Sequence, residues 1–115
     1  MKVVIAKGFR GFALSEDGVV HMAKLGSERA QRELARAKKE GRFFGYGTDD
    51  DLSVYDRADP LLVETVEDLG EKAGQKYSKL AVVEVQEPYR IEEVSELVKT
   101  SRGEIRNYKE VVVSL

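Results

Sequence analysis

Three short runs of apolar, largely β-branched residues limit what this chain can fold into. They are residues 3–6 (VVIA), residues 80–85 (LAVVEV) and residues 111–113 (VVV). Short runs of this composition, bounded by glycine or polar residues, are typical of strands buried in a small sheet. The sequence therefore predicts a strand at the start of the chain, a central strand near residue 80 and a final strand near residue 111.

Helix start and stop signals fill much of the space between these runs. Ser15 and Ser27 are predicted N-caps, and Gly26 and Gly41 are the predicted ends of the two helices that follow. The Asp-Pro pair at residues 59–60 predicts a third helix, because Asp caps it and Pro at the first helical position gives up no hydrogen bond. The chain is thus expected to alternate short strands with short helices.

Two stretches fit more than one assignment. Residues 89–100 combine strand-like alternation with helical spacing, and we expect a short strand followed by a helix. Apolar residues alternate with polar ones at residues 52–54, which allows a short edge strand. Residues 101–103 are a predicted turn. The order of elements predicts an α+β fold, a single domain over residues 1–115, with a single small mixed sheet covered by two to four helices.

Composition excludes several classes of function. The chain has 115 residues, of which 19 are basic and 21 acidic, with a single histidine and no cysteine. Disulfides, cysteine nucleophiles and metal sites that need two histidines are therefore excluded. No apolar run approaches the ~18 residues of a membrane-spanning helix, and the first residues do not resemble a secretion signal. We expect a soluble cytoplasmic protein without a membrane partner.

A net charge of −2 conceals two oppositely charged halves. Residues 1–48 carry ten basic and five acidic side chains, whereas residues 49–115 carry nine basic and sixteen acidic side chains. Separated charge favours either self-association or an anionic partner on the basic side. The alternative is that charged faces only keep a small domain soluble.

Three stretches carry a resemblance to a known family. They are residues 2–15 (KVVIAKGFRGFALS), residues 55–70 (YDRADPLLVETVEDLG) and the strand at residues 80–85 with the lysine before it. Together they resemble a family of small uncharacterised proteins encoded in bacteriophages and prophages. Ala13 stands where that family has a second loop glycine, and residues 27–50 look like a family-specific helical insertion. The resemblance implies an α+β fold, the cytoplasm of a bacterial host and an accessory role against host defences, but no established activity.

The connection between the first strand and the first helix is a candidate anion site. It contains Gly8 and Gly11, with Lys7 and Arg10 beside them. Backbone N–H groups before a helix attract phosphates, and the two cations would strengthen this attraction. The pattern is neither a P-loop nor a dinucleotide fingerprint. The alternative is that the glycines only permit a tight turn.

Aromatic residues next to a cation extend this candidate site. Arg42 is followed by Phe43, Phe44 and Tyr46. Mixtures of aromatic rings and cations stack on the bases of nucleotides. The alternative is that the two phenylalanines belong to the core.

Arg57 is the last candidate for ligand binding. It lies two residues before the predicted cap of the third helix. A guanidinium group is a fork that fits a phosphate or a carboxylate. The alternative is an ion pair with Asp59 or Glu64.

Other chemistries have weaker support. His21 lacks the context of a catalytic triad and is interpreted as a half-buried structural residue. Residues 49–51 (DDD) offer oxygen ligands, but the register of a calcium-binding loop fails, which favours an exposed turn. A cationic stripe on the second helix is too small, in an acidic chain, to predict nucleic-acid binding. Its members are Arg29, Arg32, Arg36 and Lys39.

The sequence therefore predicts a non-enzymatic protein, without a cofactor or a metal, that binds and sequesters a small anionic nucleotide as a homo-oligomer. An alternative is an inhibitor or adaptor that blocks a host protein through a helix face, with residues 28–40 as the contact. Nucleic acid is not an expected partner. The predicted ligand-binding residues are Lys7, Gly8, Arg10, Gly11, Arg42, Phe44, Tyr46 and Arg57.

Overall fold

A computed structural model describes residues 1–8, 11–43 and 55–115 of the chain. The fold is α+β, as predicted, but the strands form two separate two-stranded antiparallel sheets in place of one mixed sheet. In chain order the elements are β1 (Lys2–Ala6), α1 (Glu16–Lys24), α2 (Glu28–Glu40), α3 (Pro60–Leu69), a 3-10 turn (Gly70–Ala73), β2 (Leu80–Glu84), β3 (Tyr89–Thr100) and β4 (Gly103–Ser114).

All three predicted helix starts are confirmed by their capping hydrogen bonds. The Ser15 hydroxyl accepts the Gly18 N–H at 2.9 Å, and the Asp59 carboxylate accepts the Leu61 N–H at 2.9 Å. The Ser27 hydroxyl caps α2 in the same way. These contacts satisfy N–H groups that the first helical turn leaves without partners. The starts of the three helices are therefore fixed locally by the sequence.

The sheet of β1 and β2 lies between the helices and the β3–β4 hairpin. Alternate residues of β1 point to opposite faces. Val4 and Ala6 enter the core that the three helices cover, whereas Val3 and Ile5 contact a second, smaller core on the hairpin side. All four side chains are buried, so β1 is the central layer of the molecule.

The β3–β4 hairpin overturns the prediction for residues 89–100. These residues form one continuous strand, which pairs along its whole length with residues 103–114. The helix that was predicted for the second part of residues 89–100 is not formed. The final strand is correspondingly longer than residues 111–113. Local spacing was ambiguous there, and pairing across the turn at residues 101–102 decided the outcome. The predicted edge strand at residues 52–54 lies outside the described residues.

A bidentate ion pair between Arg57 and Glu110 joins the hairpin to the central strand. The two guanidinium nitrogens donate to the two carboxylate oxygens at 2.5 and 2.8 Å. The same carboxylate accepts the Ala6 N–H at 2.7 Å, and the Arg57 carbonyl accepts the Val4 N–H at 2.9 Å. Arg57 and Glu110 thereby satisfy the outer edge of β1, which would otherwise present unpaired N–H groups to another strand.

We expect Arg57→Ala to destabilise the fold by about 3–5 kcal/mol, because it leaves a buried carboxylate without its partner. Glu110 is only 9% exposed, and the Arg57 guanidinium also stacks on the Phe12 ring at 3.9 Å. Urea unfolding followed by circular dichroism measures the change. The control is Arg90→Ala, which breaks an exposed ion pair with Glu92 and should cost less than about 1 kcal/mol. Equal losses in the two variants would contradict a structural role for the buried pair.

Candidate functional site

A cleft of about 500 Å³ opens between the first sheet and β4. Ile5 and Val83 contribute an apolar wall from the first sheet, and Val111 and Val112 contribute another from β4. Four consecutive residues of β4, 109–112, line the cleft. Because neighbouring residues of a strand point to opposite faces, lining by consecutive residues means that the cleft runs along the edge of β4. The charged residues that line it are Lys7, Glu84, Lys109 and Glu110.

The charge balance of the cleft favours an anion. Lys7 lies just after β1, and none of the described residues forms an ion pair with it. Among the described residues, the ion-pair partner of Lys109 is the exposed Glu96, at 3.4 Å. The Glu110 carboxylate is already held by Arg57, and Glu84 is a rim residue whose side chain is 73% exposed. The two ammonium groups are therefore the charges most available to a bound molecule.

In the connection after β1, the Gly8 N–H is not available to a phosphate, because it is already hydrogen-bonded within the protein. The Gly8 N–H donates to the Ser78 carbonyl at 3.0 Å. A Cβ atom at Gly8 would lie 1.9 Å from the Tyr77 carbonyl oxygen, so only glycine fits this backbone approach. Gly11 has a positive φ of 69°. These contacts favour the alternative that the glycines permit a tight connection, and Arg10 lies outside the described residues.

Arg57 forms an ion pair, but with a partner that the sequence did not indicate. The predicted alternatives were Asp59 and Glu64, whereas the structure pairs Arg57 with Glu110. Asp59 instead caps α3. The guanidinium is engaged by the Glu110 carboxylate, the Val4 carbonyl and the Phe12 ring, which favours a structural role for Arg57.

Arg42 lines a different cleft. Together with Phe43 it borders a depression of about 320 Å³ between the start of α1 and the end of α2. Phe44 and Tyr46 lie outside the described residues. Lys7 and Arg42 therefore line separate clefts, and Arg57 lines neither of them. The structure does not bring these three predicted cations together.

Lys109 lines this candidate cleft and was not among the ligand-binding residues predicted from the sequence. It stands two positions before the Val111–Val113 run, where strand alternation gives it the opposite orientation to its neighbour Glu110. That alternation becomes informative only once β4 is known to extend back to Gly103. The alternation of side chains around Lys109 can be read from the sequence. The pairing of β4 with β3, which sets the direction of the Lys109 side chain, cannot.

The structure also describes His21 and the cationic stripe of α2, which the sequence singled out. His21 is half-buried, as predicted, and its Nε2 lies 2.8 Å from an Asp68 oxygen. Within residues 1–8, 11–43 and 55–115, no three His, Asp or Glu side chains are grouped as a metal site would require, and residues 49–51 lie outside these ranges. On α2, Arg36 pairs with Glu40 at 3.3 Å. The role of this helix in blocking a host protein stays a prediction.

The buried face of α2 carries an unexpected polar contact. The Tyr55 hydroxyl donates a hydrogen bond to the Glu33 carboxylate, and both residues are almost fully buried. Burial raises the pKa of the Tyr55 phenol strongly, and the hydrogen bond to Glu33 raises it further. The phenol therefore stays protonated in the folded protein at pH values where an exposed tyrosine ionises.

No helix in the described part of the chain is long and apolar enough to cross a membrane. Comparisons of the chain with family models, with curated proteins and with solved structures find no match.

We expect the stability of the protein to fall as the pH rises above about 10, the ordinary pKa of tyrosine. Below that pH both folded and unfolded chains hold the Tyr55 proton; above it only the unfolded chain releases it, which favours unfolding by up to about 1.4 kcal/mol per pH unit. Tyr55→Phe should flatten this dependence. Urea unfolding between pH 8 and about 11 measures the slope. Tyr77→Phe, at a 48% exposed side chain, is the control and should leave the slope unchanged.

Proposed function

We propose that this chain is a non-enzymatic binding protein that sequesters a small anionic ligand with a flat apolar part, such as a nucleotide, in the cleft beside β4. The observation that carries the proposal is the meeting of Lys7 and Lys109 with an apolar lining in one open cleft. Ligand sites combine mainly apolar walls with a few convergent polar groups in this way. Of the predicted cations that the structure describes, this cleft contains Lys7, whereas Arg42 and Arg57 lie elsewhere.

The dimensions and charge of the cleft support this class of ligand. A volume of about 500 Å³ falls within the range of about 300–1,000 Å³ that small-molecule sites occupy. The valine and isoleucine side chains offer an apolar surface to a ring, and each ammonium group is a point charge for a phosphate. Since Arg57 neutralises Glu110, the deepest carboxylate of the cleft does not oppose an anion.

Sequestration without catalysis fits the groups in the cleft. Its charged side chains are two lysines, a rim carboxylate and a carboxylate held by three donors, so the described residues that line the cleft offer no paired nucleophile and base. The accessory role against host defences, in the cytoplasm of a bacterial host, rests on the resemblance to phage proteins. It belongs to the proposal as the biological setting of ligand removal.

We expect a nucleotide that binds to raise the melting temperature and to be recovered chemically intact after heat denaturation. A panel of linear and cyclic nucleotides, each at saturating concentration, tests this by thermal shift and by chromatography of the released ligand. Lys7→Ala and Lys109→Ala should each raise the dissociation constant about tenfold or more, because each removes a charge-assisted hydrogen bond.

Two controls separate this cleft from other basic surfaces. Lys24→Ala removes an exposed lysine at the end of α1 and should leave binding unchanged. Arg42→Ala should also have no effect, whereas a site that used Arg42 would lose affinity. A panel without any thermal shift, or binding that survives loss of both cleft lysines, would contradict the proposed site.

A further inference from the structure

The outer part of the β3–β4 hairpin exposes apolar side chains on both of its faces. We call residues 94–109 the hairpin tip. Leu97 is 60% exposed and Tyr108 40% exposed on one face, and Val94 and Ile105 are 38% and 41% exposed on the other. A two-stranded hairpin with uncovered faces is marginal in water. The tip therefore has the composition of a surface that another chain covers.

The outer edge of β4 is open along this tip. The hairpin forms a sheet of two strands only, so none of the described residues pairs with β4 on the side away from β3. Closer to the base, residues 109–112 line the cleft against the first sheet. Among the described residues, the part of this edge that is left unpaired is therefore residues 103–108, which we call the tip segment.

The tip segment is complementary to itself when two copies run antiparallel. In a continuous sheet with a two-fold axis, each register is centred on one residue that faces its own copy. Centring on Ile105 places Ile105 opposite Ile105 and Glu104 opposite Arg106, twice. It also brings Arg102, in the turn at the end of the strand, near Tyr108 of the second copy, which puts a cation beside an aromatic ring.

Other registers of the same antiparallel pairing are less favourable. Centring on Glu104 or on Arg106 sets like charges opposite each other, and centring on Asn107 sets Glu104 opposite Glu110. Centring on Tyr108 would require Glu110, which is engaged by Arg57, and the cleft-lining edge beyond it. Centring on Gly103 would require both turn residues, 101 and 102, to pair as strand with residues 105 and 104.

The hairpin register extends this complementarity across four strands. Val98 already faces Ile105 within the hairpin, so the new pairing aligns an apolar row of Val98, Ile105 and the same two residues of the second copy. On the opposite face, Lys99 faces Glu104, which then meets Arg106 of the second copy. Cross-strand apolar and opposite-charge pairs of this kind stabilise sheets.

We propose that two copies of this chain associate through antiparallel pairing of residues 103–107 of β4, centred on Ile105, into a four-stranded sheet. The proposal gives a surface to the oligomer expected for a sequestering protein, and it rests on the hairpin alone. Loss of ligand binding with the dimer intact would contradict the proposed function, whereas a monomer that binds ligand would contradict the proposed dimer.

The experiment measures mass by sedimentation over a range of protein concentrations. The wild-type chain should shift from 12.9 kDa towards twice that mass as concentration rises. Glu104→Arg and Arg106→Glu should each stay monomeric, because each sets like charges opposite one another. The double variant E104R/R106E, and an equimolar mixture of the two single variants, should restore the dimer. Glu96→Arg makes the same charge change on β3 and should leave association unchanged.

A cross-link tests the register itself, since the chain has no native cysteine. Facing residues in an antiparallel pair have Cα atoms about 4.5–5.5 Å apart, within reach of a disulfide. Ile105→Cys should therefore form a reducible dimer under mild oxidation, and Leu97→Cys, on β3, should not. A wild-type chain that stays monomeric, charge variants that all dimerise, or equal cross-linking at both cysteines would overturn the proposal.

Discussion

The ion pair between Arg57 and Glu110 is the interaction on which the rest of this structure depends. Four parts of the molecule meet there: β1, β4, the segment before α3 and the Phe12 ring. A carboxylate with this little exposure is unfavourable unless several donors surround it, and here two guanidinium nitrogens and a backbone N–H do so. Removing any one partner would leave the others with unsatisfied charge or unpaired backbone.

The ion pair between Arg57 and Glu110 explains how a small domain fixes the position of a long hairpin. The base of the hairpin packs Tyr89, Ile91 and Val112 on the small core beside β1, and this core is too small to cover the whole hairpin. The buried ion pair adds a directional contact at a place where the hairpin buries little apolar surface. Beyond it the strands continue into solvent, so the hairpin has an anchored base, a middle that borders the cleft and an open tip.

Local signals predicted the helices well and the hairpin poorly. Ser15, Ser27 and Asp59 are correct caps, because a cap satisfies N–H groups within three residues of itself. Residues 89–100 were assigned in part to a helix, because strand pairing depends on residues that lie beyond the turn. The candidate site shows the same limit: Lys7 was predicted, whereas Lys109 enters the cleft only through the position of β4.

The amino-acid sequence by itself determined the α+β class, the starts of the three helices and the buried strand at the start of the chain, because these follow from caps and from short apolar runs. The tertiary structure alone decided that the strands form two sheets, that Arg57 holds Glu110, and which cations share a cleft. The physical reason is separation along the chain: Arg57 and Glu110 are 53 residues apart. No local pattern relates such residues before the backbone brings them together.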